Sequence, residues 1–378
     1  MADESTTVTI ALGERAYPVH IGPGELARLG ERMAARGLAG RTLVVTNPQV
    51  EPLYGEAALA ALAGAGVAAQ VVVIPAGERS KTLATTARIW SAAMAHKLDR
   101  GSVIVALGGG IVGDVAGFAA ACYYRGVRLV QVPTTLVAMV DSSVGGKTGV
   151  NFEGKNLVGA FWQPSLVVAD LAALATLPPR ELRCGLAEVI KHGAILDHEL
   201  FERLERDFVG APRAACAGFR LGIGPRLSLD MARLAVQRSC ELKGAVVAED
   251  EREAGKRAWL NFGHTFGHAL EAVGGLGRLH HGEAVAIGMM LAARLGVRRG
   301  DLPASVEARL GAVLRAVGLP TGLPSGTDPD EVLALMYRDK KVRDGRLTLT
   351  LLRRLGEAMV VSDTPPALVR EVLAEGAT

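Results

Sequence analysis

The chain is poor in features that would send it to an oxidising compartment, a membrane or nucleic acid. Its 378 residues include four cysteines, Cys122, Cys184, Cys216 and Cys240, and no CxxC pair. Scattered thiols are not a disulfide framework; they fit buried cysteines in a reducing cytosol. The opening MADESTTVTI has no basic stretch followed by an apolar one, so no secretory signal is expected. There is no Lys/Arg tract and the formal net charge is only +3, so nothing points to nucleic acid. Long uninterrupted apolar runs are also missing. GSVIVALGGGIVGDVAGFAAAC is broken by glycines and by Asp114, which favours a buried strand, turn and helix over a membrane span. Neither an internal repeat nor a low-complexity segment is present. The expectation is a cytoplasmic protein with no membrane or nucleic-acid partner.

What is present is patterned. Hydrophobic residues make up 49% and charged residues 21%, a globular balance, and the length allows two domains. The runs TLVVTN, QVVVIP, SVIVALGG, VRLVQVPTT and SLVVAD read as strands. They alternate with helical ELARLGERMAARG, TLATTARIWSAAMAHK and GDVAGFAAACYY. Such alternation predicts a parallel sheet flanked by helices. Past Thr176 the strand signals stop and amphipathic helical patterns take over, with the prolines of TLPPRE at the change. The fold expected is an α/β N-terminal domain with a parallel, Rossmann-like sheet over residues 1–176, followed by an all-helical C-terminal domain over 177–378.

Three motifs carry chemistry. In SVIVALGGGIVGD a strand runs into Gly108, Gly109, Gly110 and Gly113, which satisfies GxGxxG. Glycines permit a tight turn against a pyrophosphate, and the next helix offers NH groups to anions. An unliganded βα turn has the same pattern, and no acidic residue follows about 20 positions on, as a standard Rossmann unit requires. The second motif, PTTLVAMVDSSVGGKTGVN, resembles a P-loop at GGKT, but Asp141 stands where the first P-loop glycine belongs. It is read as a flexible loop presenting Asp141 and Lys147 after a strand end. The third, NFGHTFGHALE, places His264 and His268 on one helical face, joined by Arg257 and Asn261 if the helix reaches that far back. LHHGEAV follows, and GLAEVIKHG offers Glu188 and Lys191 one turn apart with apolar flanks. Imidazoles plus carboxylate suit zinc, although satisfied histidines and a surface ion pair would look alike.

Taken together, ALGGGIVGDVAGFAAACYYRG, QVPTTLVAMVDSSVGGKTGVN, GKNLVGAFWQP, LPPRELRCGLAEVIKHG, NFGHTFGHALE and HHGEAVAIGM resemble the 3-dehydroquinate synthase family of the shikimate pathway, from about Val8 to DKKVRDGRLTLTLL. The resemblance implies Glu188, His264 and His281 as zinc ligands, with Co2+ as an alternative metal. It implies catalytic or substrate roles for Asp141, Lys147, Lys191, Lys243, Arg257, Asn261 and His268, and phosphate contacts from Asn156 and Lys340. It implies NAD contacts from Asn47, Glu78, Lys81, Gly109, Gly110, Asp114, Thr134, Thr135, Lys155 and Thr176. The matching family arginine, here Arg125, reaches across a homodimer to the partner's substrate phosphate. Departures are NFEGKN, one residue shorter than the common form, and Trp162 and His192 where tyrosine is expected.

The implied reaction converts 3-deoxy-D-arabino-heptulosonate 7-phosphate to 3-dehydroquinate and phosphate, with NAD used and regenerated. Other sugar-phosphate cyclases such as 2-deoxy-scyllo-inosose synthase share the cofactor residues but act on substrates without a carboxylate, so cationic Lys243 and Arg257 favour the first reading. An alcohol dehydrogenase would release NADH. A noncatalytic regulator need not keep Asp141, Lys147, Lys191 and Arg257 together.

Overall fold

The computed structural model describes residues 5–210, 219–220, 226–273, 279–337, 342–343 and 346–376. Its contacts divide the chain into two units, Met1–Leu177 with Leu229–Ala248, and Pro178–Ser228 with Glu249–Thr378.

The strands of the first unit are β1 (Thr6–Ile10), β2 (Tyr17–Gly22), β3 (Thr42–Thr46), β4 (Ala69–Val73), β5 (Val103–Gly108), β6 (Arg128–Pro133), β7 (Lys147–Val150), β8 (Val158–Phe161) and β9 (Leu166–Asp170). Seven of them form one sheet in the order β1-β2-β9-β6-β5-β3-β4. Only β1 and β2 are antiparallel; every other pairing in that sheet is parallel. Parallel strands are covered on both faces, so they need apolar residues at every position. β3, β5 and β9 are buried throughout. Along β5, Ile104 and Ala106 join one apolar cluster with Val115 and Ala119, while Val103 and Val105 join another with Leu29 and Leu62. This is the period-two alternation of a strand buried on both sides. Chain order reverses between β3 and β5, the place where open α/β sheets present a ligand crevice at their strand ends.

The helices of this unit are α1 (Leu29–Ala34), α2 (Glu56–Gly64), α3 (Leu83–Ala95) and α4 (Gly110–Cys122). Those of the second are α5 (Pro179–Leu196) and α6 (His198–Phe208); α7 (Leu229–Glu249) follows in sequence, then α8 (His264–Val273), α9 (His281–Arg298), α10 (Ala304–Ala316), α11 (Pro329–Met336) and α12 (Pro366–Gly376). Proline at the first position of α5, after an extended Pro178, makes a clean helix start. Among the described residues no helix is long and apolar enough to cross a membrane.

Three expectations need correction. Residues of α7 up to Ala248 belong to the α/β unit, not the helical one. The cause is packing: a side chain at Gly244 would meet Ile10 Cδ1 at 2.6 Å, and the Cys240 thiol donates to the Met139 carbonyl (3.4 Å). The second unit is mostly, not wholly, helical. Leu349–Arg354 and Glu357–Val361, named β10 and β11, pair as an antiparallel hairpin with Leu349, Leu351 and Leu352 buried. Lys147 opens strand β7, paired with β8, so the expected flexible loop is partly a hairpin.

Candidate active site

In the second unit the chemistry gathers on three helices. α5 carries Glu188 and Lys191 one turn apart, 0% and 1% exposed, and their side chains form an ion pair. α8 begins at His264 and places His268 one turn further on; α9 begins at His281. Close approach of α8 and α9 depends on Gly288, where an added Cβ would lie 2.0 Å from the Gly263 carbonyl oxygen. The imidazoles of His264 and His281 stand 5.3 Å apart between centroids, and those of His264 and His268 5.5 Å. His264 Nε2 and His281 Nε2 lie 3.7 and 3.4 Å from Glu188 Oε1.

The electrostatics favour an ionised carboxylate facing cationic groups. Neither Glu188 oxygen has a hydrogen bond of good geometry. Burial opposes its ionisation, but the Lys191 ammonium and the imidazoles outweigh it and hold the carboxyl well below its ordinary value. Burial, helped by Lys191, pushes His264 well below the usual imidazole value and keeps it neutral. Burial also opposes charge on His281, yet the facing Glu188 and Glu271 carboxylates raise it to about 9. A carboxylate and two imidazoles with donor atoms within 4.8 Å of one another fit a divalent metal such as zinc and leave a coordination position for another ligand.

The expected stripe from Arg257 to His268 does not form. Lys256–Asn261 is a separate 3-10 segment, and the chain breaks at Phe262 and at Gly263 (φ 78°) before α8 starts. Arg257 is buried (1% exposed), its guanidinium donating to the Glu251 carbonyl. Asn261 donates to Glu253 Oε1 (2.8 Å). Glu271, in the same NFGHTFGHALE motif, is a further member of the cluster that the sequence reading missed: its Oε1 lies 3.1 Å from His281 Nδ1. The signal for it was position, seven residues after His264 on the same face.

In the first unit the glycine turn closes β5. Gly109 caps α4 and Gly110 is its first residue. A Cβ on Gly109 would touch Thr135 Cγ2 at 3.0 Å, and Thr134 N–H donates to the Gly108 carbonyl (3.0 Å). Asn47 follows β3 on the other side of the reversal, its Oδ1 accepting from Gln49 and Val50 N–H at 3.0 Å. A cavity of about 130 Å³ at the ends of β5, β6 and β9 brings Thr134 and Thr176 together with Tyr54, whose hydroxyl is 2.5 Å from Thr176 Oγ1. Tyr54 lies in a helical run with no motif, so sequence reading had no handle on it.

A second group centres on buried Lys81, whose ammonium is 2.5 Å from Asp114 Oδ2 and bonds Asn156 Oδ1. Burial pushes the Asp114 carboxyl up, against the pull of Lys81. Asn151 extends the group by donating to Glu78 Oε1 (2.8 Å) and accepting from Asn156 N–H (2.9 Å). Lys155 is exposed beside it. On the other side, Lys243 of α7 donates to the Asp141 carbonyl (2.6 Å) and carboxylate (2.7 Å). Lys147 is exposed at the start of β7. Arg125 is exposed in the turn after α4 with a left-handed backbone (φ 64°), and Trp162 steadies that turn by donating to the Val127 carbonyl (3.0 Å). His192 is buried in α5. Lys340 lies outside the described residues.

A glycine turn on a parallel sheet in one unit, and a buried carboxylate facing two imidazoles in the other, define an α/β protein of nucleotide-binding type with a candidate metal centre in its helical part. The family profiles for the N-terminal and C-terminal parts of 3-dehydroquinate synthase match residues 71–184 and 185–342. The chain belongs to the 3-dehydroquinate synthase family. A 3-dehydroquinate synthase of Nitrobacter winogradskyi is 48% identical over 97% of this chain and 95% of its own. Among solved structures, 2-epi-5-epi-valiolone synthase from Streptomyces hygroscopicus subsp. jinggangensis, with NAD+ and Zn2+ bound, superposes with TM-score 0.84 at 34% identity, covering 97% of this chain and 98% of that one. A 2-deoxy-scyllo-inosose synthase complexed with carbaglucose-6-phosphate, NAD+ and Co2+ gives TM-score 0.84 at 28% identity, covering 98% and 100%.

Proposed function

We propose that this protein is a lyase that converts 3-deoxy-D-arabino-heptulosonate 7-phosphate to 3-dehydroquinate and phosphate, with NAD and a divalent metal, Zn2+ or Co2+, as cofactors. The observation that carries the reading is the convergence of Glu188, His264 and His281 in a chain of this family. Both cyclase structures similar to it hold NAD+ and a divalent metal. When bound, the metal would polarise a substrate hydroxyl and the nicotinamide would take up and later return a hydride. Lys191 keeps Glu188 ionised and ready to ligate. Arg257 is the planar cation suited to a carboxylate, and lysines such as Lys147 and Lys243 suit a phosphate as point charges. Gly109, Gly110, Thr134, Thr135, Asn47 and Thr176, together with Glu78, Lys81, Asp114 and Lys155, are proposed to hold the dinucleotide. The boundary in sequence between the NAD-binding domain, residues 1–176, and the metal- and substrate-binding domain, residues 177–378, is proposed to fall after Thr176. A cytoplasmic location agrees with free thiols at Cys122, Cys184 and Cys240.

The test supplies the heptulosonate phosphate with Zn2+ and trace NAD to the purified chain. Phosphate and dehydroquinate should form in many turnovers per NAD without NADH accumulating. Net NADH release would favour a dehydrogenase, and turnover only of a sugar phosphate lacking the carboxylate would favour another cyclase.

The protein is further proposed to be a homodimer with Arg125 completing the partner's phosphate site. An Arg125→Ala subunit paired with a Lys147→Ala subunit would form one site with both defects and one with neither. Mixing the two under subunit exchange should restore part of the activity; a verified heterodimer as inactive as its parents refutes the shared site.

A further inference from the structure

Both imidazoles that face Glu188 are held by their other nitrogen. His264 Nδ1 lies 3.2 Å from the Phe262 carbonyl oxygen, and His281 Nδ1 lies 3.1 Å from Glu271 Oε1. In the neutral ring, an oxygen acceptor at Nδ1 selects the tautomer with hydrogen there, which leaves Nε2 as the nitrogen able to ligate. Those Nε2 atoms are the ones directed at Glu188 Oε1, at 3.7 and 3.4 Å. Outer acceptors of this kind orient ligating histidines and raise their basicity.

The two acceptors differ in kind. The Phe262 carbonyl is set by the backbone break ahead of α8, and no side chain contributes to it. Glu271 is a side chain, 15% exposed, two turns along α8 from His264. It also forms a second donor group with His268 and His281 within 4.8 Å, so direct ligation by Glu271 is the competing arrangement. His281 meets Glu271 through Nδ1 and Glu188 through Nε2, which separates the two roles on one ring.

We infer that Glu271 is a positioning residue: it accepts the Nδ1 hydrogen of His281 and thereby presents Nε2 to a cation shared with Glu188 and His264. This rests on the metal reading proposed above.

The experiment strips the full-length chain with a chelator and titrates it with Co2+ against a chromophoric competitor. Glu271→Ala should still bind one Co2+, about 10–100-fold more weakly. Glu271→Gln keeps an oxygen acceptor but loses the charge, so its affinity should fall between alanine and wild type. The intensity of the visible Co2+ bands, which reports ligand number, should stay unchanged in both. Wild-type affinity in both variants overturns the inference. So does a wild type that binds two equivalents and variants that bind one, since Glu271 would then be a ligand. If the alanine variant fails to fold without metal, the glutamine variant decides. His264→Ala and His281→Ala separate the two readings. If they keep wild-type affinity, the metal reading itself fails; if they lose Co2+ while both Glu271 variants do not, only the positioning role fails.

Discussion

Replacing Gly288 by alanine tests whether the histidine cluster is assembled by close helix packing. The added Cβ would lie 2.0 Å from the Gly263 carbonyl oxygen, 2.9 Å from its carbonyl carbon and 3.0 Å from Gly267 N. A non-bonded carbon needs about 3.5 Å, so the methyl falls roughly 1.5 Å short. Every nearby atom is backbone, so no side-chain rotation relieves the clash, and α8 and α9 must shift apart. Overpacking of this sort costs about 1–3 kcal/mol, and a wholly backbone clash belongs at the upper end. A loss of about 3 kcal/mol lowers the melting temperature of a unit this size by roughly 6–12 °C. The same shift draws His264 and His268 of α8 from His281 of α9, whose rings now sit 5.3 and 6.3 Å from it. Metal affinity should fall with stability. Calorimetry on the chelator-treated variant and a Co2+ titration measure the two effects. A melting temperature within 2 °C of wild type, with unchanged Co2+ affinity, would show that the packing does not hold the cluster together and refute the reasoning.

Other outcomes follow from charge and exposure. His281 is raised to about 9 in the metal-free chain, so a metal bound as proposed through His281 would have to displace its proton; Co2+ affinity should then rise about tenfold per pH unit between 7 and 8.5, with about one proton released, and a flat profile would contradict it. Because that folded pKa is raised, its contribution to stability is complete below the unfolded value of about 6.5 and is lost as pH climbs through 9. The chelated protein should therefore lose melting temperature over that window more than the metal-loaded one. Burial pushes the Cys184 and Cys240 thiols up to about 12, while Cys122 is exposed. Pulsed alkylation at pH 8 followed by mass spectrometry should label Cys122 and spare the other two until the chain unfolds; early labelling of Cys240 would contradict its burial against α7's neighbours. Lys191→Met removes the ammonium paired with buried Glu188 and leaves the His281 imidazole as its cationic neighbour, so the loss should fall at or below the lower end of the about 3–5 kcal/mol typical of a broken buried pair. Bound metal should recover much of that loss in thermal unfolding, and an equal loss with and without metal would count against Glu188 as a ligand.

Much of this architecture was legible in the chain alone. TLVVTN, SVIVALGG and SLVVAD read as strands because a sheet covered on both faces needs unbroken apolar runs, and the structure buries β3, β5 and β9 at every position. Glycines after β5 marked a turn, and His264 and His268 marked one helix face, because these are local periodicities. What local pattern could not decide was anything set by contacts distant in sequence. α7 reads as one more helix of the second half, yet Ile10 and Met139 claim it for the sheet unit. Arg257 and Asn261 match the helical spacing of His264, but a backbone break at Phe262 and Gly263 separates them, because a helix continues only while its carbonyls keep their partners. Glu188 and His281 are more than ninety positions apart; their meeting, and the hydrogen bond that aims His281 from Glu271, exist only where α5, α8 and α9 pack. Periodicity tells which face of an element is buried or charged, and only tertiary packing chooses the face it meets.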